Sequence, residues 1–236
     1  MIDIHSHILP GVDDGARTLN HSLDLIRESA RNGVTDIIAT PHYISETIYV
    51  SPCAANLRLL SELKKAVKAE NIPVNLYLGN EIYIDDNIVA HLKAKEITSL
   101  AGSRYLLIEL PLNEKFPNYD EYFKDLIDRG VKVILAHPER YLIIQKDYEI
   151  ARELHRLGVL FQCNMGSLIG SYGKREQKLA QKLAKDKLIF TFASDIHHRR
   201  GDEYWQKVYK RMAKFFTPAE IKQLLVTNPG KILEKA

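Results

Sequence analysis

The chain has 236 residues, 45% of them hydrophobic and 27% charged, with 12 Gly and 9 Pro, which is the composition of a folded α/β protein and excludes disorder as its main state. Thirty-three Lys and Arg against 30 Asp and Glu leave a formal net charge of only +3, too balanced to imply nucleic acid or a membrane surface as the partner. No apolar run approaches the ~18–20 residues that span a bilayer, and Met1-Ile2-Asp3-Ile4-His5 lacks the basic and apolar regions of a signal peptide, so a cytoplasmic location is expected.

The first β-rich run, Ile2 to His5, is followed by a helical pattern in which Leu19, Leu23, Ile26 and Ala30 recur at helical spacing until Gly33 closes it. Val34 to Thr40 reads as the second strand, and Ser51-Pro52 opens a helix that runs through Leu57, Leu60, Leu63 and Val67. Strands follow at Val74 to Gly79, Arg104 to Leu110, Val131 to Ala136, Val159 to Asn164 and Leu188 to Ser194. They are separated by helices near Ile84 to Lys95, Tyr119 to Arg129, Tyr148 to Leu157 and Arg175 to Asp186, with a further helix near Glu203 to Phe215. The tail from Pro218 to Leu233 reads as two short packing helices with Asn228-Pro229-Gly230 between them. The strand runs are apolar at nearly every position, as in Val133-Ile134-Leu135-Ala136, which marks parallel strands covered on both faces. Seven such strands alternating with helices predict a closed or nearly closed (β/α) barrel, because right-handed crossovers set consecutive parallel strands side by side; an open doubly wound sheet is the alternative. No linker, repeat or low-complexity tract interrupts the alternation, so residues 1–236 are expected to form a single domain.

The C-terminal ends of the strands carry the chemistry. In order they are His5-Ser6-His7, Thr40-Pro41-His42, Gly79-Asn80-Glu81, Glu109, His137, Cys163-Asn164 and Ser194-Asp195-Ile196-His197. Barrel enzymes build their sites on that face from the ends of several strands, so these side chains are expected to converge. Each piece alone has an ordinary alternative: a surface histidine pair, a capped turn at Asp13-Asp14-Gly15, a carboxylate that has just emerged into water. Taken together they suit divalent cations, since imidazole and carboxylate are the ligands of borderline to hard metals. In His137-Pro138-Glu139-Arg140 the proline fixes a turn from which Arg140 can reach the same mouth. His21, His91 and His155 lie in or beside helical segments with no ligand neighbour, and His198 is expected to point away.

Ile2-Asp3-Ile4-His5-Ser6-His7, Asp13-Asp14-Gly15, Ala39-Thr40-Pro41-His42, Glu81, Glu109, Ala136-His137-Pro138-Glu139-Arg140 and Ser194-Asp195-Ile196-His197 resemble the polymerase and histidinol phosphatase (PHP) superfamily. Within it, the sequence is similar to the manganese-dependent protein-tyrosine phosphatases of capsule and exopolysaccharide operons. The resemblance runs nearly end to end and implies a distorted, TIM-like (β/α)7 barrel, the PHP fold, with three divalent metal ions: manganese first, iron and zinc as alternatives. It implies that His5, His7, Glu81 and Asp195 hold one ion, that Glu81, Glu109 and His137 hold a second with Glu81 bridging, and that Asp14, His42 and His197 hold the third. Arg140 matches the family's phosphate-binding arginine. A second arginine follows the Asp-x-His motif in the family; here the loop is short, and counting back from the helix favours Arg200 over Arg199.

The expected activity is hydrolysis of phosphotyrosine in proteins, with cation-activated water attacking phosphorus; a phenolic leaving group of pKa about 10 departs without a strong general acid. Tyr43, Phe116 and Tyr141 are candidates to flank the substrate ring. Cysteine-based phosphatases resemble one another in a Cys followed after five residues by Arg, but Leu59 stands at that distance from Cys53 and Ile169 from Cys163. The same metal core serves small-molecule phosphatases such as histidinol phosphatase, the rival within enzymes, and a non-catalytic phosphate-binding regulator is the rival of another class. The resemblance implies as partner a tyrosine-phosphorylated protein, the tail of an autophosphorylated cytoplasmic kinase; the balanced charge and the short apolar runs lead to an expectation of neither nucleic acid nor stable membrane insertion.

Overall fold

A computed structural model describes residues 1–50, 52–113 and 118–234. Its strands are β1 (Ile2–Ser6), β2 (Asp36–Ala39), β3 (His42–Tyr43), β4 (Asn75–Leu78), β5 (Glu81–Tyr83), β6 (Tyr105–Glu109), β7 (Lys132–Ala136), β8 (Leu160–Asn164) and β9 (Ile189–Ala193). They pair in parallel, in the orders β1-β2-β4 and β3-β5-β6-β7-β8-β9.

These two sheets are one ring interrupted twice. β2 runs into β3 through Thr40-Pro41, and Pro41 has no N–H for a ladder. β4 runs into β5 through Gly79-Asn80, where the Gly79 and Glu81 N–H groups donate to the Ala39 and Pro41 carbonyls at 2.8 and 3.2 Å and carry the pairing across the break. With each broken pair counted as one path, the nine described strands trace the seven expected paths. The last path meets the first near the mouth: Asp195 N–H donates to His5 O at 3.0 Å, and His7 N–H donates to Ile196 O at 3.1 Å. The barrel is therefore distorted, and the open-sheet alternative falls.

Ile4, Ile38, Leu107, Ile134, Ala136 and Ala193 form one apolar cluster with Leu100 and Ile232. Residues from strands all round the ring meet only through its middle, so this cluster is the barrel interior. A larger cluster that includes Leu25, Leu63, Phe123, Phe161 and Trp205 lies between the strands and the outer helices. Those helices are α1 (Leu19–Arg31), α2 (Cys53–Ala69), α3 (Ile88–Lys93), α4 (Tyr119–Asp128), α5 (Leu142–Lys146), α6 (Glu149–Leu157), α7 (Lys174–Lys185) and α8 (Asp202–Met212). Each fully buried large aliphatic or aromatic side chain contributes ~1.5–3 kcal/mol of transfer free energy, so the two clusters, not the polar mouth, hold the fold together.

Three expectations change. The helix read from Ile84 to Lys95 shrinks to α3, because Asp85 Oδ1 accepts from Asn87 N–H at 2.6 Å and bends the preceding residues into a turn. α5 was not expected, since five residues are too few to show a period. In the tail, α9 (Pro218–Lys222), a wide turn at Gln223–Thr227 and α10 (Asn228–Leu233) run on without the break expected at Asn228-Pro229-Gly230. Pro229 falls in the first turn of α10, where a proline is tolerated, and Asn228 Nδ2 donates to Phe190 O at 2.8 Å and ties the tail to β9. Ser51, read as opening α2, lies outside the described residues. Among the described residues no helix is long and apolar enough to cross a membrane.

Candidate metal centre

All nine residues read as metal ligands meet at the C-terminal mouth of the barrel. The deepest group is His5 and His7 from the end of β1, Glu81 from β5 and Asp195 after β9. His5 Nε2 lies 3.2 Å from His7 Nε2, 3.2 Å from Glu81 Oε2 and 3.4 Å from Asp195 Oδ1. His7 Nε2 lies 3.4 Å from Glu81 Oε2 and 3.5 Å from Asp195 Oδ1. A cation held at about 2.0–2.2 Å by nitrogen and oxygen donors needs neighbouring donors roughly 3.4 Å apart on a tetrahedron. The observed spacings match that requirement.

The hydrogen bonds on the far sides of the rings sharpen the fit. His5 Nδ1 faces Gln162 Oε1 at 2.8 Å, and His7 Nδ1 faces Asp13 Oδ2 at 2.8 Å, both acceptors. A neutral ring that donates from Nδ1 has a bare Nε2 lone pair. Two such lone pairs and two carboxylate oxygens then point at one another in a region sealed from water, an arrangement that requires positive charge between them.

A second group shares Glu81. His137 Nε2 lies 2.9 Å from Glu81 Oε1 and 3.6 Å from Glu109 Oε1. The third lies nearer solvent: Asp14 Oδ1 is 3.4 Å from His42 Nε2 and 3.2 Å from His197 Nε2, and the Asp14 side chain is 54% exposed. His42 reaches inward as well, with Nδ1 3.0 Å from Glu81 Oε2, and His197 stacks on His7 with ring centroids 3.9 Å apart. Residues of these groups fall into clusters capable of holding a cation: His5, His7 and Glu81; His42, Glu81 and Glu109; and His7, Asp14, His42 and His197. His137 and Asp195 have left-handed backbones, with φ of 32° and 48°, which for residues with a Cβ costs about 1–3 kcal/mol each. This strain turns both side chains over the mouth just as their strands end.

The titration behaviour follows from this crowding. Burial disfavours the Glu81 and Asp195 carboxylates, yet His5 and His42 hold Glu81 well below the carboxylate range, and His5 and His7 do the same for Asp195. Burial likewise opposes protonation of His42, but Glu81 and Asp14 push it up to about 10. Glu109 goes the other way: its own burial and the Glu81 charge raise it. The carboxylates crowded against His5, His7 and His42 raise all three, the mark of concentrated negative charge.

A cavity of about 310 Å³ opens over the cluster and is lined by Asp14, His42, Glu81, Glu109, His137, Asp195 and His197 together with Arg140, Arg200, Tyr172 and His198. Arg200 is on the wall, whereas Arg199 turns outward, its Nε 3.5 Å from Glu28 Oε2. Arg140 Nη1 is 3.6 Å from Asp195 Oδ2, and both guanidiniums sit over the Tyr172 ring, at 5.2 and 5.8 Å. Arg200 Nε is buried without a hydrogen-bond partner among the described residues. A larger cavity of about 510 Å³ between α2 and β4 has no carboxylate or imidazole in its lining, so its size does not make it the reactive site.

Several neighbours differ from expectation. Tyr43 and Tyr141, candidates to flank a substrate ring, are buried: the Tyr43 hydroxyl donates to Glu96 at 3.0 Å, and the Tyr141 hydroxyl donates to Ala136 O at 2.8 Å. Phe116 lies outside the described residues. The aromatic wall is Tyr172, and Tyr49 lies with its ring 5.7 Å from that of His42. His198 lines the cavity rather than pointing away. His91 is not without ligand-type neighbours, since it stands 2.6 Å from Glu96 and 3.4 Å from Asp85. Behind the donors lies a layer to which the sequence assigns no role: Asp13, Asn164 and Glu139, which stand in the quoted motifs, and Gln162, which does not; the buried Glu139 accepts from Cys163 Sγ, Asn164 N–H and Ser167 Oγ at 3.0, 2.9 and 2.6 Å.

Residues 1–234 match the family model described as capsular polysaccharide synthesis, CpsB/CapC. The CapC protein of Staphylococcus aureus is 39% identical over 198 residues, 84% of this chain and 77% of the relative. The tyrosine-protein phosphatase YwqE of Bacillus subtilis is 36% identical over 199 residues, 84% of this chain and 78% of the relative. A solved structure from work on Bacillus subtilis YwqE and Streptococcus pneumoniae CpsB, described as metal-dependent tyrosine phosphatases, superposes with a TM-score of 0.88 at 32% identity, covering 97% of this chain and 95% of the other.

Proposed function

Because the chain belongs to the CpsB/CapC capsular polysaccharide synthesis family, we propose that it is a metal-dependent protein-tyrosine phosphatase working as a single domain over residues 1–236. The observation that carries this reading is the convergence of seven imidazole and carboxylate donors and two arginines on one cavity, with His5 and His7 buried against Glu81 and Asp195. His5, His7, Glu81 and Asp195 would hold one divalent cation, Glu81, Glu109 and His137 a second, and Asp14, His42 and His197 a third. Manganese is the first choice, with iron and zinc compatible with the same donors. Bound divalent cations supply Lewis-acid stabilisation and lower the pKa of water toward ~7.

The remaining chemistry is that of the chain's own residues. Three divalent charges exceed the four carboxylates of Asp14, Glu81, Glu109 and Asp195, so the pocket attracts a phosphate monoester, which is nearly a dianion at neutral pH. Arg140 and Arg200 orient the phosphoryl oxygens, and the buried Arg200 Nε finds its acceptor there. Tyr172 backs both guanidiniums and fixes their planes. The substrate is a tyrosine-phosphorylated protein; the family context supports the tail of an autophosphorylated cytoplasmic kinase.

The deciding experiment is a metal-depleted assay on phosphotyrosine and phosphoserine peptides and histidinol phosphate, restored with manganese, iron or zinc in turn. Manganese-restored phosphotyrosine turnover is the expected result; rapid histidinol phosphate hydrolysis with negligible phosphotyrosine turnover would transfer the reading to a small-molecule phosphatase. For the clamp, Arg140→Ala is expected to lower phosphotyrosine kcat/KM by ~10²–10³ with metal content unchanged. Arg200→Ala is expected to cost less, since that side chain also stacks on Tyr204 at 5.5 Å. Steady-state kinetics beside elemental analysis checks both, and a loss under threefold in Arg140→Ala would remove it from the phosphate site.

A further inference from the structure

β8 supplies none of the nine donors, yet two polar side chains stand in it on the same side, Gln162 and Asn164, two residues apart and fully buried. We propose that they are positioning residues: a side-chain relay from Asp195 through Asn164 and Gln162 to His5 that fixes which atoms of His5 and Asp195 face the cation. The proposal deepens the metal-site reading and rests on it.

The relay has a single polarity. A carboxylate oxygen accepts, so the Asn164 atom 2.6 Å from Asp195 Oδ2 is the amide nitrogen. The Asn164 oxygen therefore faces Gln162 and accepts from its Nε2 at 2.8 Å. That turns Gln162 Oε1 toward His5, where it meets Nδ1 at 2.8 Å, so Nδ1 carries the proton and Nε2 is left bare toward the cluster. The far end supplies an independent check: the backbone N–H of His137 also points at Gln162 Oε1, at 3.4 Å, and a backbone N–H accepts nothing. Reversing either amide would set donor against donor at one end. The relay also occupies Asp195 Oδ2 and leaves Oδ1, the atom 3.4 Å from His5 Nε2 and 3.5 Å from His7 Nε2, as the single oxygen offered inward. Glu139 pins the strand that carries the relay, by accepting from the Asn164 N–H at 2.9 Å.

The first test uses the wild-type zinc-loaded protein. Nitrogen-15 spectra of its histidines report which nitrogen of His5 is metallated: Nε2 with a slowly exchanging Nδ1–H is the expected result, and metallated Nδ1 would overturn the relay. The second measures zinc and manganese affinity by calorimetry in Gln162→Leu, Asn164→Leu and Gln162→Glu, with circular dichroism confirming the fold. The two leucine variants are expected to bind about 10- to 100-fold more weakly. Gln162→Glu, which restores the acceptor at His5 Nδ1 but sets an oxygen against Asn164 Oδ1, is expected to recover only part of that loss, which a merely space-filling role would not do. Leucine variants within twofold of wild type would sink the relay alone, whereas wild-type protein that takes up no cation would sink the metal-site reading beneath it.

Discussion

Glu81→Ala is expected to abolish phosphotyrosine hydrolysis, by at least ~10³-fold, more than the loss of a single electrostatic donor, and to strip the protein of cations at the same time. The reason is position. Glu81 Oε2 lies within 3.2 Å of His5, 3.4 Å of His7 and 3.0 Å of His42, and its other oxygen lies 2.9 Å from His137. No other carboxylate of the cluster stands this close to four of its imidazoles. Its loss removes the charge that holds His5 and His42 in their raised range and leaves the two deepest groups without their shared donor. The fold is expected to survive, because the apolar clusters inside and outside the barrel do not include Glu81. Elemental analysis, circular dichroism and kinetics on the same preparation check it. Wild-type metal content in an inactive, folded Glu81→Ala would contradict the bridging role, and wild-type activity would contradict the whole site.

The barrel was legible because parallel strands buried on both faces must be apolar throughout, as Leu106-Leu107-Ile108 and Val133-Ile134-Leu135 are. The donors were legible for a related reason. A buried His or Glu at the end of an apolar run, such as His137 after Ala136 or Glu109 after Ile108, is too costly to be accidental when repeated round a ring. The interruptions at Pro41 and Gly79-Asn80 were visible as residues but not as breaks, because β3 and β5 are too short to show alternation. The layer behind the donors did leave a signal. Phe161-Gln162-Cys163-Asn164 places two amides at every second position of an otherwise apolar strand, which in a buried strand requires partners. Which partners they have depended on the fold, since His5 is 157 residues away from Gln162 in sequence. The same holds for Glu28 in α1, whose carboxylate accepts from the N–H groups of Arg200 and Gly201 at 2.8 and 3.2 Å and from Trp205 Nε1 at 3.1 Å. Those contacts turn the loop after β9 so that Arg200 faces the cavity, and nothing local in the sequence around Arg200 encodes them.

Gly15→Ala is expected to damage the site from outside the donor set. A Cβ at this position would lie 2.2 Å from His7 O, 2.4 Å from His7 Cβ and 2.9 Å from the His7 carbonyl carbon, and the backbone atoms among these cannot swing away. The loop from residue 8 to residue 16 is fastened at that spot. Ala16 N–H donates to His7 O at 2.9 Å, and Asp13 accepts from Gly15 N–H at 3.0 Å with one oxygen and from His7 Nδ1 at 2.8 Å with the other. Room for a methyl group is made only by lifting the loop, which withdraws Asp13 from His7 and Asp14 from His42 and His197. Overpacking of this kind costs about 1–3 kcal/mol. For a chain of this size each kcal/mol lowers Tm by roughly 2–4 °C. The effect on turnover is expected to be larger than the effect on stability, about 10²-fold, because a shift near 1 Å in a positioned group suffices for that. Calorimetric Tm and phosphotyrosine kinetics separate the two effects. A variant with unchanged Tm and unchanged turnover would show that the Asp13-Asp14 loop moves freely and does not fix the outer donors.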